Sequence, residues 1–175
     1  MNLFQKPKII VPDYNNVPSF TLDLNKNFYK TGYGVIIEKT AMSPLYILGL
    51  LNSKLLFLYL HSIGTTLQSG YIRFWTQFIR KLPIYSINFA DPADKVRHDR
   101  MVSLVERMLE LHKRTSSQPP PTGGGARYAG GGGRTPQEQE MVRREIESTD
   151  RQIDSLVYEL YGLSPEEISI VEGKE

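Results

Sequence analysis

The chain has 175 residues, 40% of them hydrophobic and 10% aromatic, enough for one moderate core with an appended element and too apolar for a disordered polypeptide. It has no cysteine, which excludes disulfides, thiolate metal sites and cysteine nucleophiles and fits a cytoplasmic protein. The net charge of +2 hides an asymmetry: residues 1–92 hold nine Lys/Arg against four Asp/Glu, and residues 93–175 hold twelve against fifteen. Fifteen of the 18 aromatic residues, Trp75 included, lie in the first part, a combination that suits either nucleic acid or a packed β-rich core.

Met1 to Lys8 lacks the basic and apolar regions of a secretory signal. Short strands follow. Lys8-Ile9-Ile10-Val11 stops at Pro12, Phe20-Thr21-Leu22 leads to a turn near Asn25-Lys26-Asn27, and Gly34-Val35-Ile36-Ile37 comes after Gly32. Ser43-Pro44 has the form of an N-cap followed by proline at the first helical position, and the apolar residues after it predict one buried helix to about Ile63, ended by Gly64. Asn52, Ser53 and Lys54 interrupt the apolar segment Leu45 to Leu60, leaving runs far short of the roughly 20 residues a bilayer span needs. Residues 65–84 read as a loop returning into one or two strands, with helix the lesser alternative.

From Pro92 the period becomes helical, with Met101, Leu104, Val105, Met108, Leu111 and His112 on one stripe and an end near Arg114. Residues 115–137 contain Pro119-Pro120-Pro121, Gly123-Gly124-Gly125 and Gly130 to Gly133, the composition of a flexible connector. A second amphipathic helix runs from about Pro136 to Tyr161, with Val142, Ile146, Ile153, Leu156, Val157 and Leu160 on one face and Gly162 as C-cap. Ser164-Pro165-Glu166-Glu167 opens a last short helix. The expected fold class is α+β: a small, mostly antiparallel sheet with a buried helix in residues 1–92, then an antiparallel helical hairpin in residues 93–175. The helical stripes are read as core.

No catalytic constellation emerges. The glycine runs follow a helix and a proline run instead of a strand, so they do not form a phosphate loop. Pro12-Asp13 with Glu38-Lys39 is the nearest approach to a magnesium nuclease, but the Glu-x-Lys spacing is missing. His61, His98 and His112 have no companion that would make a metal site and are read as surface or packing residues.

Three ordered segments remain: Leu48-Gly49-Leu50-Leu51-Asn52-Ser53-Lys54-Leu55-Leu56, Thr66-Leu67-Gln68-Ser69-Gly70-Tyr71-Ile72-Arg73-Phe74, and Arg80-Lys81-Leu82-Pro83-Ile84. In this order they resemble the TaqI-like C-terminal specificity domain of adenine-specific DNA methyltransferases and fused restriction-modification enzymes, and more distantly the recognition domains of type I specificity subunits. Lys6 to Val11 and Asp150 to Leu163 are similar to the flanks of that family. The resemblance implies a prokaryotic target-recognition module that binds double-stranded DNA and positions it for a methyltransferase catalytic domain or subunit. That parent would be an N6-adenine methyltransferase, with or without endonuclease activity, and would use S-adenosylmethionine, with Mg²⁺ if it cuts. This chain lacks the Asn/Asp-Pro-Pro-aromatic loop and the cofactor turn such catalysis needs, so it is expected to have no enzymatic activity and no cofactor or metal of its own. The alternative is a helical docking module for a catalytic subunit, with little DNA binding.

On the recognition reading, Gly64 and Gly70 bracket a polar loop, Thr65 to Ser69, whose backbone can approach a groove. Gln68 and Arg73 have the geometry to bond adenine and guanine bidentately, and Ser69 and Tyr71 are further candidates for base contact. Lys26, Lys30, Lys54, Arg80 and Lys81 are candidates for phosphate contact, each against the alternative of a solvated surface charge. Tyr71, Phe74 and Trp75, with Phe78, are read chiefly as core fillers.

Overall fold

The computed structural model describes residues 6–24, 32–38, 40–67, 70–116 and 135–174. Three strands form the first sheet: β1 (Lys8–Val11), β3 (Thr21–Asp23) and β4 (Tyr33–Val35), in the order β3-β1-β4 and antiparallel throughout. The central strand carries the core residues Ile9 and Val11, both fully buried, and Lys8 is paired in register with Asp23. Their side chains make a buried ion pair of 2.5 Å, which supplies the partner each buried charge needs.

A second small sheet has β6 (Ile72–Arg73) in the middle, β2 (Tyr14–Asn15) on one side and β5 (Thr65–Thr66) on the other, again antiparallel. Thus the segment 65–84 holds the strands expected of it, together with a short helix, α3 (Thr76–Ile79), that its composition made the lesser alternative. Strand β2 was not expected; two residues are too few to show a period.

The single helix expected from Ser43 to Ile63 is two. Helix α1 (Pro44–Leu51) and helix α2 (Lys54–Ile63) meet at a bend of 62°. The cause is local: Asn52 caps the first helix and Ser53 starts the second, its hydroxyl accepting the Leu56 N–H. Asn52 also accepts the Phe20 N–H at 2.9 Å and donates to the Phe20 carbonyl at 3.0 Å, stitching the corner to the chain entering β3. Among the described residues no single helix is long and apolar enough to cross a membrane.

Helices α4 (Pro92–Ser116) and α5 (Pro136–Tyr161) pack side by side, with Arg97 bonded to Glu159 and Arg107 near Glu145, which makes them antiparallel. This is the expected hairpin; α4 runs two residues past the expected end, and residues 117–134 of the connector lie outside the described residues. Met101, Leu104, Val105 and Leu111 are buried as read, Met108 is half-buried, and His112 is exposed and leaves the stripe. On α5, Val142, Ile153, Leu156, Val157 and Leu160 are buried and Ile146 half-buried. Both α5 and α6 (Pro165–Val171) begin with reciprocal capping boxes, Thr135 with Glu138 and Ser164 with Glu167, and Gly162 ends α5 in the left-handed conformation, φ 66°.

One cluster of buried apolar side chains runs from Ile9 and Val11 through α1 and α2 to Met101, Val105, Ile153 and Val157. His98 belongs to the packing: its Nε2 accepts the Ser43 N–H at 3.0 Å, its Nδ1 lies 2.9 Å from Asp99, and its ring packs on Tyr46. His61 and His112 are on the surface.

Candidate nucleic-acid interface

Residues 71–75 alternate as a half-buried strand must. Ile72 and Phe74 are fully buried, whereas Tyr71, Arg73 and Trp75 point the other way. Residues directly opposed on an antiparallel ladder share a face, so Tyr14, Arg73 and Thr65, which are in register across β2, β6 and β5, form a row on the outer side. Asn15, Ile72 and Thr66 form the row behind it.

The outer row is aromatic and charged. Tyr14, 54% exposed, meets Tyr71 edge to face with ring centres 6.0 Å apart. The Arg73 guanidinium lies 5.7 Å from the centre of the Trp75 ring and 3.6 Å from the Asp13 carboxylate, so its direction is set by a cation–π contact and an ion pair. Trp75, 43% exposed, stacks on Phe78 with planes 11° apart and centres 6.0 Å apart. Phe74 thus fills the core as expected, but Trp75 does not. The residue before it takes the inward place, and Trp75 also caps the start of α3, which turns the chain outward.

One helical turn beyond Trp75, Arg80 and Lys81 are exposed, and among the described residues neither has an ion-pair partner. The strand is held from behind: the Phe74 N–H donates to the Asp13 carbonyl at 3.0 Å, and the Tyr33 hydroxyl donates to the Phe74 carbonyl. Burial, aided by the Asp13 charge, pushes the Tyr33 phenol up to about 12, so it stays protonated and keeps donating.

The bracketing glycines have separate roles. A methyl group at Gly64 would lie 2.7 Å from the Leu60 carbonyl oxygen, so Gly64 lets α2 pass directly into β5. Gly70 has φ 76° with open space around it, and there the backbone conformation itself calls for glycine.

Of the expected contact residues, the fold brings Tyr71 and Arg73 together on one face and puts Arg80 and Lys81 just beyond α3. Lys54 is elsewhere. It opens α2 facing the hairpin, with Nζ 3.1 Å from Glu172 and 3.4 Å from Asp154. Burial lowers its affinity for a proton, but the Glu172 hydrogen bond and the Asp154 charge outweigh this and hold the ammonium above its ordinary value. Lys26, Lys30, Gln68 and Ser69 lie outside the described residues. Sequence reasoning missed Tyr14 and Asp13 as members of this face; their only signal was their place just after Pro12, where β1 stops. Asp13 and Glu38 have different partners, Arg73 and Lys6.

With this face described, comparison with known families becomes informative. Residues 1–84 match the TaqI-like C-terminal specificity domain. The matched stretch includes both sheets, α1, α2, α3 and the whole outer row, and it stops before the hairpin, so the similarity expected for Asp150 to Leu163 lies beyond it. A specificity domain is not itself catalytic. The match supports a module for DNA recognition in methylation and restriction-modification, and does not favour a docking element with little DNA binding. No curated protein matches the chain.

Proposed function

We propose that this chain reads a DNA sequence on behalf of an N6-adenine DNA methyltransferase or a fused restriction-modification enzyme in the cytoplasm of a prokaryote. Double-stranded DNA lies on the outer face of the second sheet. The adenine, S-adenosylmethionine and, where the partner cuts, Mg²⁺ belong to a catalytic domain or subunit that this chain positions.

The observation that carries this reading is the row Tyr14, Arg73, Thr65, with Tyr71 and Trp75 on the same strand face, inside the part that matches a specificity domain. A guanidinium braced on an indole ring and flanked by tyrosines offers a fork of donors to a guanine edge, worth about 1 to 3 kcal/mol of discrimination. Arg80 and Lys81, exposed and without an ion-pair partner among the described residues, offer charges to phosphates, which orient the duplex without reading it.

The test is binding of the purified chain to pooled random duplex DNA across a salt series. Log K should fall with log salt at a slope of about −0.9 per phosphate neutralised, and Arg80→Ala or Lys81→Ala should each reduce that slope by about 1. Arg73→Ala should weaken sequence preference more than the slope. No binding even at low salt would leave docking of a catalytic subunit as the better account.

A further inference from the structure

Asp13 is unexplained by a surface that only attracts DNA. Its carboxylate is 41% exposed beside the reading row, where it repels phosphate and weakens non-sequence-specific binding. The ladder does not need it, because the Asp13 main-chain carbonyl, not the side chain, holds β2 to the chain at Phe74. Its side-chain contact in the structure is Arg73, at 3.6 Å from Nη1 to Oδ2.

We propose that Asp13 is a second sequence-reading residue, paired with Arg73 as an adjacent acceptor and donor that together select a G·C base pair from the major groove. The proposal rests on the DNA-recognition reading above. In that groove guanine offers O6 and N7 as acceptors, and the cytosine paired with it offers an N4 amino donor next to O6. Arg73 donates to O6 and N7 while the Asp13 carboxylate accepts from N4. Trp75 on one side and Asp13 on the other fix the plane of the guanidinium before DNA arrives, so little order has to be imposed on binding.

The pair also rejects A·T, and a T·A pair, which has a methyl group in place of N7, loses one of the two arginine bonds. At an A·T pair the central groove positions are reversed: the adenine N6 amino group meets the guanidinium, donor against donor, and the thymine O4 meets the carboxylate, acceptor against acceptor. An arginine alone would suffer the first conflict only. A carboxylate that costs general affinity and adds a second conflict at the wrong base is a device for specificity.

The experiment is selection from a random duplex pool by the full chain, followed by sequencing, for the wild type, Asp13→Ala, Asp13→Asn and Arg73→Ala. The wild type should enrich sites sharing a fixed G·C pair. Both Asp13 variants should relax that position while binding unselected duplex as tightly as the wild type or more tightly, and Arg73→Ala should relax the same position. On the enriched site, pyrimidin-2-one in place of the cytosine removes the N4 amino group, and 7-deazaguanine removes N7. Each should weaken the wild type by about 5- to 100-fold, and pyrimidin-2-one should have little further effect on Asp13→Ala. These DNA-side changes keep the test decisive should an Asp13 variant fold poorly. Unchanged G·C enrichment by Asp13→Ala alongside its loss in Arg73→Ala overturns the role of Asp13 alone. A wild type that enriches no sequence overturns the recognition reading itself.

Discussion

Gly49 and Met101 are in contact so close that a methyl group on Gly49 would stand 2.5 Å from the Met101 sulfur and 2.9 Å from Val105 Cγ2. Helices α1 and α4 touch through this glycine, which joins the part that bears the two sheets to the hairpin.

Two effects of opposite sign meet there. Alanine is favoured over glycine inside a helix by about 1 kcal/mol, and overpacking a buried site costs about 1 to 3 kcal/mol. Met101 is fully buried and Val105 is stiff at χ1, so neither side chain can move aside freely. Gly49→Ala should therefore destabilise the protein by about 1 kcal/mol and Gly49→Val by more. Urea unfolding checks this as a lower midpoint at unchanged slope, and in a Met101→Ala background, where only the Val105 contact remains, the same Gly49→Ala change should cost less.

Ser164 is the cap of α6: its hydroxyl accepts the Glu167 N–H at 3.3 Å, and Glu167 returns the contact to the Ser164 N–H at 2.8 Å. Ser164→Ala should cost about 1 kcal/mol. Hydrogen exchange should quicken across 165–172 first, because this short helix ends at Glu172, whose carboxylate bonds Lys54 and Tyr158. Protection in α6 equal to that of the wild type would contradict the prediction.

Acid should reveal a second feature of the same corner. Burial raises the Asp154 carboxyl above its ordinary range, against the opposing hydrogen bond from the Lys54 N–H, and burial also raises Asp150. Above the unfolded value of about 4, the folded protein then holds more protons than the unfolded one, so these groups make stability fall as pH rises and recover as pH drops. Glu172, lowered chiefly by the Tyr158 hydroxyl, acts in the opposite direction. Asp154→Asn removes one of these two raised titrations, so the wild type should gain stability relative to this variant as pH falls from about 7 to about 4. Urea unfolding at intervals across that range checks the slope, and a constant difference would mean that Asp154 titrates no differently when folded.

Trp75 is the only tryptophan, partly exposed and in contact with Arg73, so its fluorescence reports on the outer face of the second sheet. Saturating duplex DNA should reduce quenching by acrylamide. Arg73→Ala should show a smaller change at the same DNA concentration, and a spectrum unmoved by DNA that demonstrably binds would place the duplex on another face.

Patterns with a long period were legible in the sequence. Helices α4 and α5 repeat their stripes over many turns, and the caps at Ser43 and Ser164 follow rules that depend on a few adjacent residues. The bend at Asn52 was not read because the apolar composition continues across it; only the Asn-Ser pair marks it, and polar residues inside a buried helix look alike until their partners are known. On the outer row of the second sheet, Arg73 was singled out by its chemistry. Tyr14 and Asp13 were not, since they join it through a ladder between residues some 60 apart in sequence, and two-residue strands carry no period.

The join between α5, α2 and β5 has a mechanical consequence. Asp154 of α5 holds the first N–H of α2 at 3.0 Å, and α2 passes through Gly64 into Thr65, the residue beside Arg73. Helix α2, with Gly64 at its end, spans the distance between the hairpin and the row that holds Arg73. A body that gripped the hairpin would therefore aim the row as a handle aims a blade, without touching the row itself.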